Sequence, residues 1–132
     1  MNLSGLNPWA IFVAAVSAFA IGGLWYAPFL FGSAWKRANG FTSDPPAKPA
    51  IFVFTLLFSL VMAVNLAMFL NSAKTTVVFG GAAGFAAGFG WAAMGIAIVA
   101  LFERRTWSYI AINGGYLTVA LTVMGGILGA WR

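Results

Sequence analysis

Polar residues interrupt this chain only briefly, between four long apolar runs: Pro8 to Phe31, Ala50 to Asn71, Val77 to Phe102 and Ser108 to Trp131. Each run has about 22 to 26 residues, which as helix at 1.5 Å per residue covers about 33 to 39 Å and crosses a hydrocarbon core of roughly 30 Å with modest tilt. Membrane strands would be shorter and would alternate polar with apolar positions, which these continuous runs do not do. The pattern predicts an all-α integral membrane four-helix bundle in one transmembrane domain over 1–132, with helices over about 8–31, 50–71, 77–102 and 108–131 and a linker over 32–49.

Within the linker, Trp35, Lys36 and Arg37 read as an interfacial anchor on one turn of surface helix that ends near Asn39-Gly40. Asp44-Pro45-Pro46 forces a turn, and Pro49 suits the first turn of the next helix, where its missing donor would be unpaired anyway. The connections at Ser72 to Thr76 and Glu103 to Trp107 are short, so the helices they join should be antiparallel neighbours.

Orientation follows from the cations. Lys36, Arg37 and Lys48 in one loop and Arg104 and Arg105 in another share a side, against Lys74 and Arg132 opposite. Five against two places loops 32–49 and 103–107 in the cytoplasm and both termini on the outer side of a bacterial inner membrane. Ala18-Phe19-Ala20 resembles a signal-cleavage triplet, but Met1 to Asn7 contains no Lys or Arg and the apolar run continues past it, so the first run is expected to remain as a span.

Composition narrows the chemistry. Hydrophobic residues make up 62% of the chain and charged residues 7%, against roughly a quarter charged in soluble domains. With no histidine and no cysteine, disulfides, thiolate nucleophiles, imidazole acid-base chemistry and the usual zinc and haem ligands are excluded. No catalytic residue, metal site or cofactor is expected, and the chain reads as a non-enzyme. Its net charge of +5 lies in short loops rather than on one surface, so a nucleic-acid partner is not expected.

Small residues mark helix seams. Ala10, Ala14, Ala18 and Gly22 recur every four positions on the first helix, and Gly80, Gly84, Gly88 and Ala92 on the third. In lipid, close backbone approach over such stripes supplies packing that hydrophobicity cannot. The stripes serve either packing within one bundle or contact between protomers of a homo-oligomer, and Gly125 and Gly129 suit both.

Few polar residues lie within the spans. Asn65 falls about 22 Å from the cytoplasmic end of its helix and Asn113 about 8 Å, too far apart to pair. A hydrogen bond to a neighbouring helix is the simplest role for each, with substrate contact as the alternative. Ser17, Ser59, Thr118 and Thr122 are expected to bond to helix backbones. At the depth of Asn113, Pro28 cannot donate to the Leu24 carbonyl, which predicts a kink with a free acceptor. Trp25, Tyr26, Pro28, Asn113 and Tyr116 would then converge on a polar, aromatic pocket, as opposed to a simple aromatic belt with a proline kink. Trp91, near mid-membrane, should fill space beside the glycine stripe, and its indole donor needs a partner. Glu103, the one acidic residue at a membrane boundary, should pair with Arg104, Arg105 or Lys36.

The run Leu24-Trp25-Tyr26-Ala27-Pro28, then Leu30-Phe31-Gly32 and Trp35, Phe102-Glu103, Trp107, Asn113, Tyr116, Met124-Gly125 and Trp131 resembles the bacterial domain of unknown function 1761 family. The resemblance spans nearly the whole chain. It implies a small four-helix membrane protein with no assigned activity, and a shared role beyond packing for Trp25, Tyr26, Glu103, Asn113 and Tyr116. Where the family pattern often has a polar residue before Phe-Glu, Val99-Ala100-Leu101 is apolar here, which weakens a polar conduction path. Two function classes follow: a protein that binds or passes a small apolar or amphipathic molecule or lipid near the cytoplasmic face, or an accessory subunit docked on a larger membrane complex.

Overall fold

The computed structural model describes residues 5–43, 45, 48–72 and 75–131, and the readings that involve Met1 to Ser4, Asp44, Pro46, Lys74 and Arg132 lie outside them. Among the described residues the chain is all-α, with α1 (Pro8–Trp25), α2 (Gly32–Ala38), α3 (Pro49–Phe69), α4 (Val77–Ala87), a π-helical segment (Gly88–Ala93), α5 (Met94–Phe102) and α6 (Trp107–Ala130). The segment Val77–Phe102 is continuous, so four helices are long and apolar enough to cross a membrane.

Local chemistry sets the helix starts. The Asn7 side chain accepts from the amides of Trp9 and Ala10 at 3.0 and 3.3 Å, ahead of Pro8 at the first helical position. Thr76 caps α4 through the Phe79 amide and Thr106 caps α6 through the Tyr109 amide, both at 3.1 Å. Pro49 opens α3.

The first span does not reach Phe31. It stops at Trp25, and a compact turn over 26–31 leads into α2. Pro28 lacks the donor needed to continue the helix, yet the expected free acceptor at Leu24 is absent, because the Ala27 amide donates to it at 3.2 Å. Phe31 N–H reaches back to the Trp25 carbonyl, while Leu30 and Gly32 both donate to Ala27. The turn therefore consumes the carbonyls that a simple kink would leave open. Gly32 is required for it, since a Cβ there would come within 2.5 Å of the Tyr26 carbonyl oxygen. α2 ends at Ala38 with Asn39 as its cap, followed by Gly40 in the left-handed region at φ 73°.

Helix α6 is the hub, packing on α4, α1, the π segment, α5 and α2, and more lightly on α3. α3 rests mainly on α1 and makes at most marginal contact with α4 among the described residues, so the four spans form an open arrangement around α6 rather than a closed square. Buried positions are mostly small: Ala10, Ala14, Ala15 and Ala18 on α1, Ala63 and Ala67 on α3, and Ala120 with Leu121, Met124 and Leu128 on α6. Large residues such as Phe54, Phe58, Val61, Phe85, Phe89 and Ile98 face outward, which suits a lipid surround.

The tightest seam joins α4 to α6. A Cβ at Gly80 would collide with the Gly125 carbonyl oxygen, one at Gly84 with that of Leu121, and one at Gly129 with that of Thr76. A Cβ at Gly88 would meet the Leu117 carbonyl oxygen at 2.8 Å. The glycine stripe is thus occupied within the chain. Its fourth member is not Ala92: after Gly80, Gly84 and Gly88 the next buried position is Ala93, against Gly114. A π turn takes an extra residue, so the buried step from Gly88 is five positions instead of four.

Trp91 does not fill space beside the stripe. It sits in the π turn between inward-facing Gly88 and Ala93, on the outer side of the helix, 85% exposed, with no acceptor for its indole among the described residues.

Candidate functional site

Six residues after α1 stops, α2 begins, and this offset lets the aromatic side chains of the break lean on α6 near its start. Trp25 Nε1 donates to the Ile112 carbonyl at 2.9 Å, and the Tyr26 hydroxyl donates to Asn113 Oδ1 at 2.6 Å. Asn113 Nδ2 in turn donates to the Tyr109 carbonyl at 3.0 Å, and one turn of α6 further on the Tyr116 hydroxyl donates to the Ala18 carbonyl at 2.8 Å. The Tyr26 and Tyr116 rings lie 5.6 Å apart, Trp35 from α2 stands edge-on to Tyr26 at 5.8 Å, and Phe31 packs on Trp25 at 4.7 Å. Gly22 makes room for this, with the Tyr116 ring 3.3 Å from where its Cβ would be.

Trp25, Tyr26, Asn113 and Tyr116 are therefore brought together, whereas Pro28 is exposed and contributes only by stopping α1. The cluster closes on itself. Each hydroxyl, amide and indole donor of these four residues reaches a protein acceptor on another part of the chain or, for Asn113, one turn back, and the Tyr26 ring meets that of Trp35 edge-on. Its chemistry is a polar clasp between α1 and α6 in a low-dielectric setting, where each unpaired donor would be costly.

The secondary candidates lie apart. Asn65 is exposed on α3 and donates at 2.9 Å to the Val61 carbonyl of its own helix, not to a neighbour; Val61 and Val64 beside it also face outward, so no second helix is within its reach. Ser17, Ser59, Thr118 and Thr122 likewise bond to their own helices at 2.6 to 2.8 Å. Glu103 makes no ion pair among the described residues. It caps the end of α5 in an exposed position, while Arg105 turns instead over the Tyr109 ring, 5.1 Å from its centroid.

Open space lies beside the clasp. Between the end of α2 and the α5–α6 turn is a groove of about 600 Å³ lined by Arg37, Ala38, Asn39, Gly40, Glu103, Arg104, Arg105 and Thr106. It adjoins the cluster through Arg105, which lies over Tyr109, whose carbonyl holds Asn113. Neither the groove nor the part of Tyr109 is apparent from hydropathy, which reads Arg37, Arg104 and Arg105 only as topology signals. The one sequence signal for the groove is that both basic runs flank the same end of the spans. Among the described residues no group of three or more acidic, histidine or cysteine side chains is placed to hold a metal.

Residues 9–129 match the model of the family described as protein of unknown function (DUF1761), and the chain belongs to that family. No curated protein and no solved structure matches the sequence.

Proposed function

We propose that this is a non-enzymatic integral membrane protein that binds a small amphipathic molecule or lipid at the end of its helices where Arg37, Arg104 and Arg105 lie. The groove between α2 and the α5–α6 turn carries this reading, because it is a wide, open-faced groove that adjoins the polar, aromatic clasp and is lined by three arginines. The Trp25–Tyr26–Asn113–Tyr116 set then acts as the floor that fixes the end of α1 against α6, with α2 leaning on it through Trp35, and not as the ligand pocket itself. Native mass spectrometry of the full-length protein released from its membrane in mild detergent tests this: a retained small molecule or lipid at fixed stoichiometry is the expected result, and a bare chain would refute it.

The five-to-two split of basic residues supports a cytoplasmic position for the groove end, with both termini outside, in a cytoplasmic membrane. Because the chain has no cysteine, single Cys substitutions report directly. Ser43→Cys should be labelled by an impermeant maleimide only after the membrane is opened, and Ser72→Cys in intact cells; the reverse pattern would invert the topology.

A second reading, an accessory subunit of a larger membrane complex, is favoured by one observation. Trp91 places an indole donor with no acceptor among the described residues on an outward face, about 16 Å from the α5 end of its span at 1.5 Å per residue. Co-purification of a stoichiometric partner with the wild type, and its loss with Trp91→Leu, would support that reading; a single species in both would oppose it.

A further inference from the structure

We infer that the groove between α2 and the α5–α6 turn is a site for a phosphate group, carried by an anionic lipid or free in solution; this rests on the reading of the groove as a binding site. Arg37 comes from the last turn of α2, while Arg104 and Arg105 come from the turn after α5, so two separate segments contribute three arginines to the lining of one groove. Against them stands one carboxylate, Glu103, which leaves the lining with a net charge of +2.

None of the three arginines makes an ion pair or hydrogen bond to a side chain among the described residues, and Arg105 is held only over the Tyr109 ring. Guanidinium groups meet phosphate in paired, charge-assisted contacts, and like charges gathered without an anion repel one another. Thr106 adds a hydroxyl to the lining at the start of α6, the positive end of that helix dipole.

Backbone conformation gives an independent argument. Arg104 is the one non-glycine residue at positive φ among the described residues, at 63°, in the position after a helix end where glycine is the unstrained choice. Its amide donates to the Leu101 carbonyl and that of Arg105 to the Ala100 carbonyl, so the turn closes whatever side chain Arg104 bears. An arginine at a position where glycine would be unstrained points to a use for its side chain, and Arg104 lines the groove. The site also lies at the level where an interfacial headgroup would sit, at the end of the spans.

The same geometry supplies the test. Arg104→Gly removes a charge from the groove while easing the backbone, so it should not lower thermal stability. The full-length protein in mild neutral detergent is titrated with phosphatidylglycerol, with diacylglycerol of the same chains and with inorganic phosphate, followed by native mass spectrometry for the lipids and by phosphorus NMR for the ion. Phosphatidylglycerol should bind at least tenfold more tightly than diacylglycerol. Arg104→Gly and Arg37→Gln should each weaken it about tenfold, and Lys48→Gln, which removes the same charge outside the groove, should leave it unchanged. Arginine-dependent binding of inorganic phosphate without phosphatidylglycerol would assign the site to the free ion. Equal binding of phosphatidylglycerol and diacylglycerol, untouched by the arginine variants, would overturn the phosphate inference and leave the groove as a lipid site. Binding of none of the three probes would overturn both.

Discussion

The Tyr26 hydroxyl donates to Asn113 Oδ1 at 2.6 Å, a bond between residues 87 positions apart that ties the end of α1 to the first turns of α6. Asn113 is held in turn by its own Nδ2 bond to the Tyr109 carbonyl, so its amide is oriented before Tyr26 arrives. Tyr26→Phe leaves the Asn113 oxygen without that donor, and Asn113→Leu leaves the hydroxyl without its acceptor. Each single variant should lose about 0.5–2 kcal/mol, and the double variant clearly less than their sum. Reversible unfolding of all four proteins in one detergent reads the coupling. Strict additivity would show that the two side chains act independently.

The α4–α6 seam leaves no room for a methyl group at Gly84, because the clash is with the Leu121 backbone and no rotamer change relieves it. Gly84→Ala should therefore cost about 3 kcal/mol or more, which in a small membrane protein shows as loss of a monodisperse folded species. Gly95→Ala is the matched control. Nothing lies within 4 Å of a Cβ there, so helix propensity alone acts and stability should rise by up to about 1 kcal/mol. Similar thermal midpoints for the two variants would contradict the seam as described.

The π segment predicts an unusual response to deletion. Removing Gly90 leaves four positions between Gly88 and what is now Ala93, so a regular α-helix keeps both facing α6, and the protein should fold with a thermal midpoint within a few degrees of wild type. Removing Ala82 instead rotates everything before or after it by about 100° relative to the seam, separating Gly80 from Gly84 on the helix surface. That variant should not fold. Circular dichroism and size-exclusion chromatography distinguish the two, and equal damage from both deletions would argue for a regular helix through Gly88–Ala93.

How far the chain could be read in advance depends on which force sets each feature. Spans are legible because about twenty apolar residues in a row have few alternatives, and Pro8 and Pro49 mark where two of them start. Facing is much less legible, since lipid and protein interior are equally apolar and a phenylalanine can turn to either. That is why the outward facing of Trp91 is not legible in advance, and the π turn that moves the buried register from Ala92 to Ala93 leaves no mark in hydropathy. The meeting of Trp25, Tyr26, Asn113 and Tyr116 is readable from depth alone. What depth cannot show is that these groups would satisfy one another, or that the groove would open one contact away among arginines that hydropathy reads only as topology signals. The stop at Trp25 turns on hydrogen bonds of the 26–31 turn, in particular the Ala27 amide to Leu24, and hydropathy across that run is silent about them.

Trp91 offers a test of whether the outward face is bare in the membrane. On the isolated chain its ring is exposed close to mid-span, so lipid tails brominated near their ends should quench its fluorescence. The difference between wild type and Trp91→Phe isolates that contribution from the other five tryptophans. In reconstituted vesicles the quenchable fraction should fall in the variant, with stability changed by less than about 0.5 kcal/mol, because the side chain makes no buried contact to lose. In native membrane vesicles the two function classes part. A protein whose outer faces meet only lipid keeps the same quenching there, whereas a subunit docked through this face shows Trp91 shielded until detergent releases it.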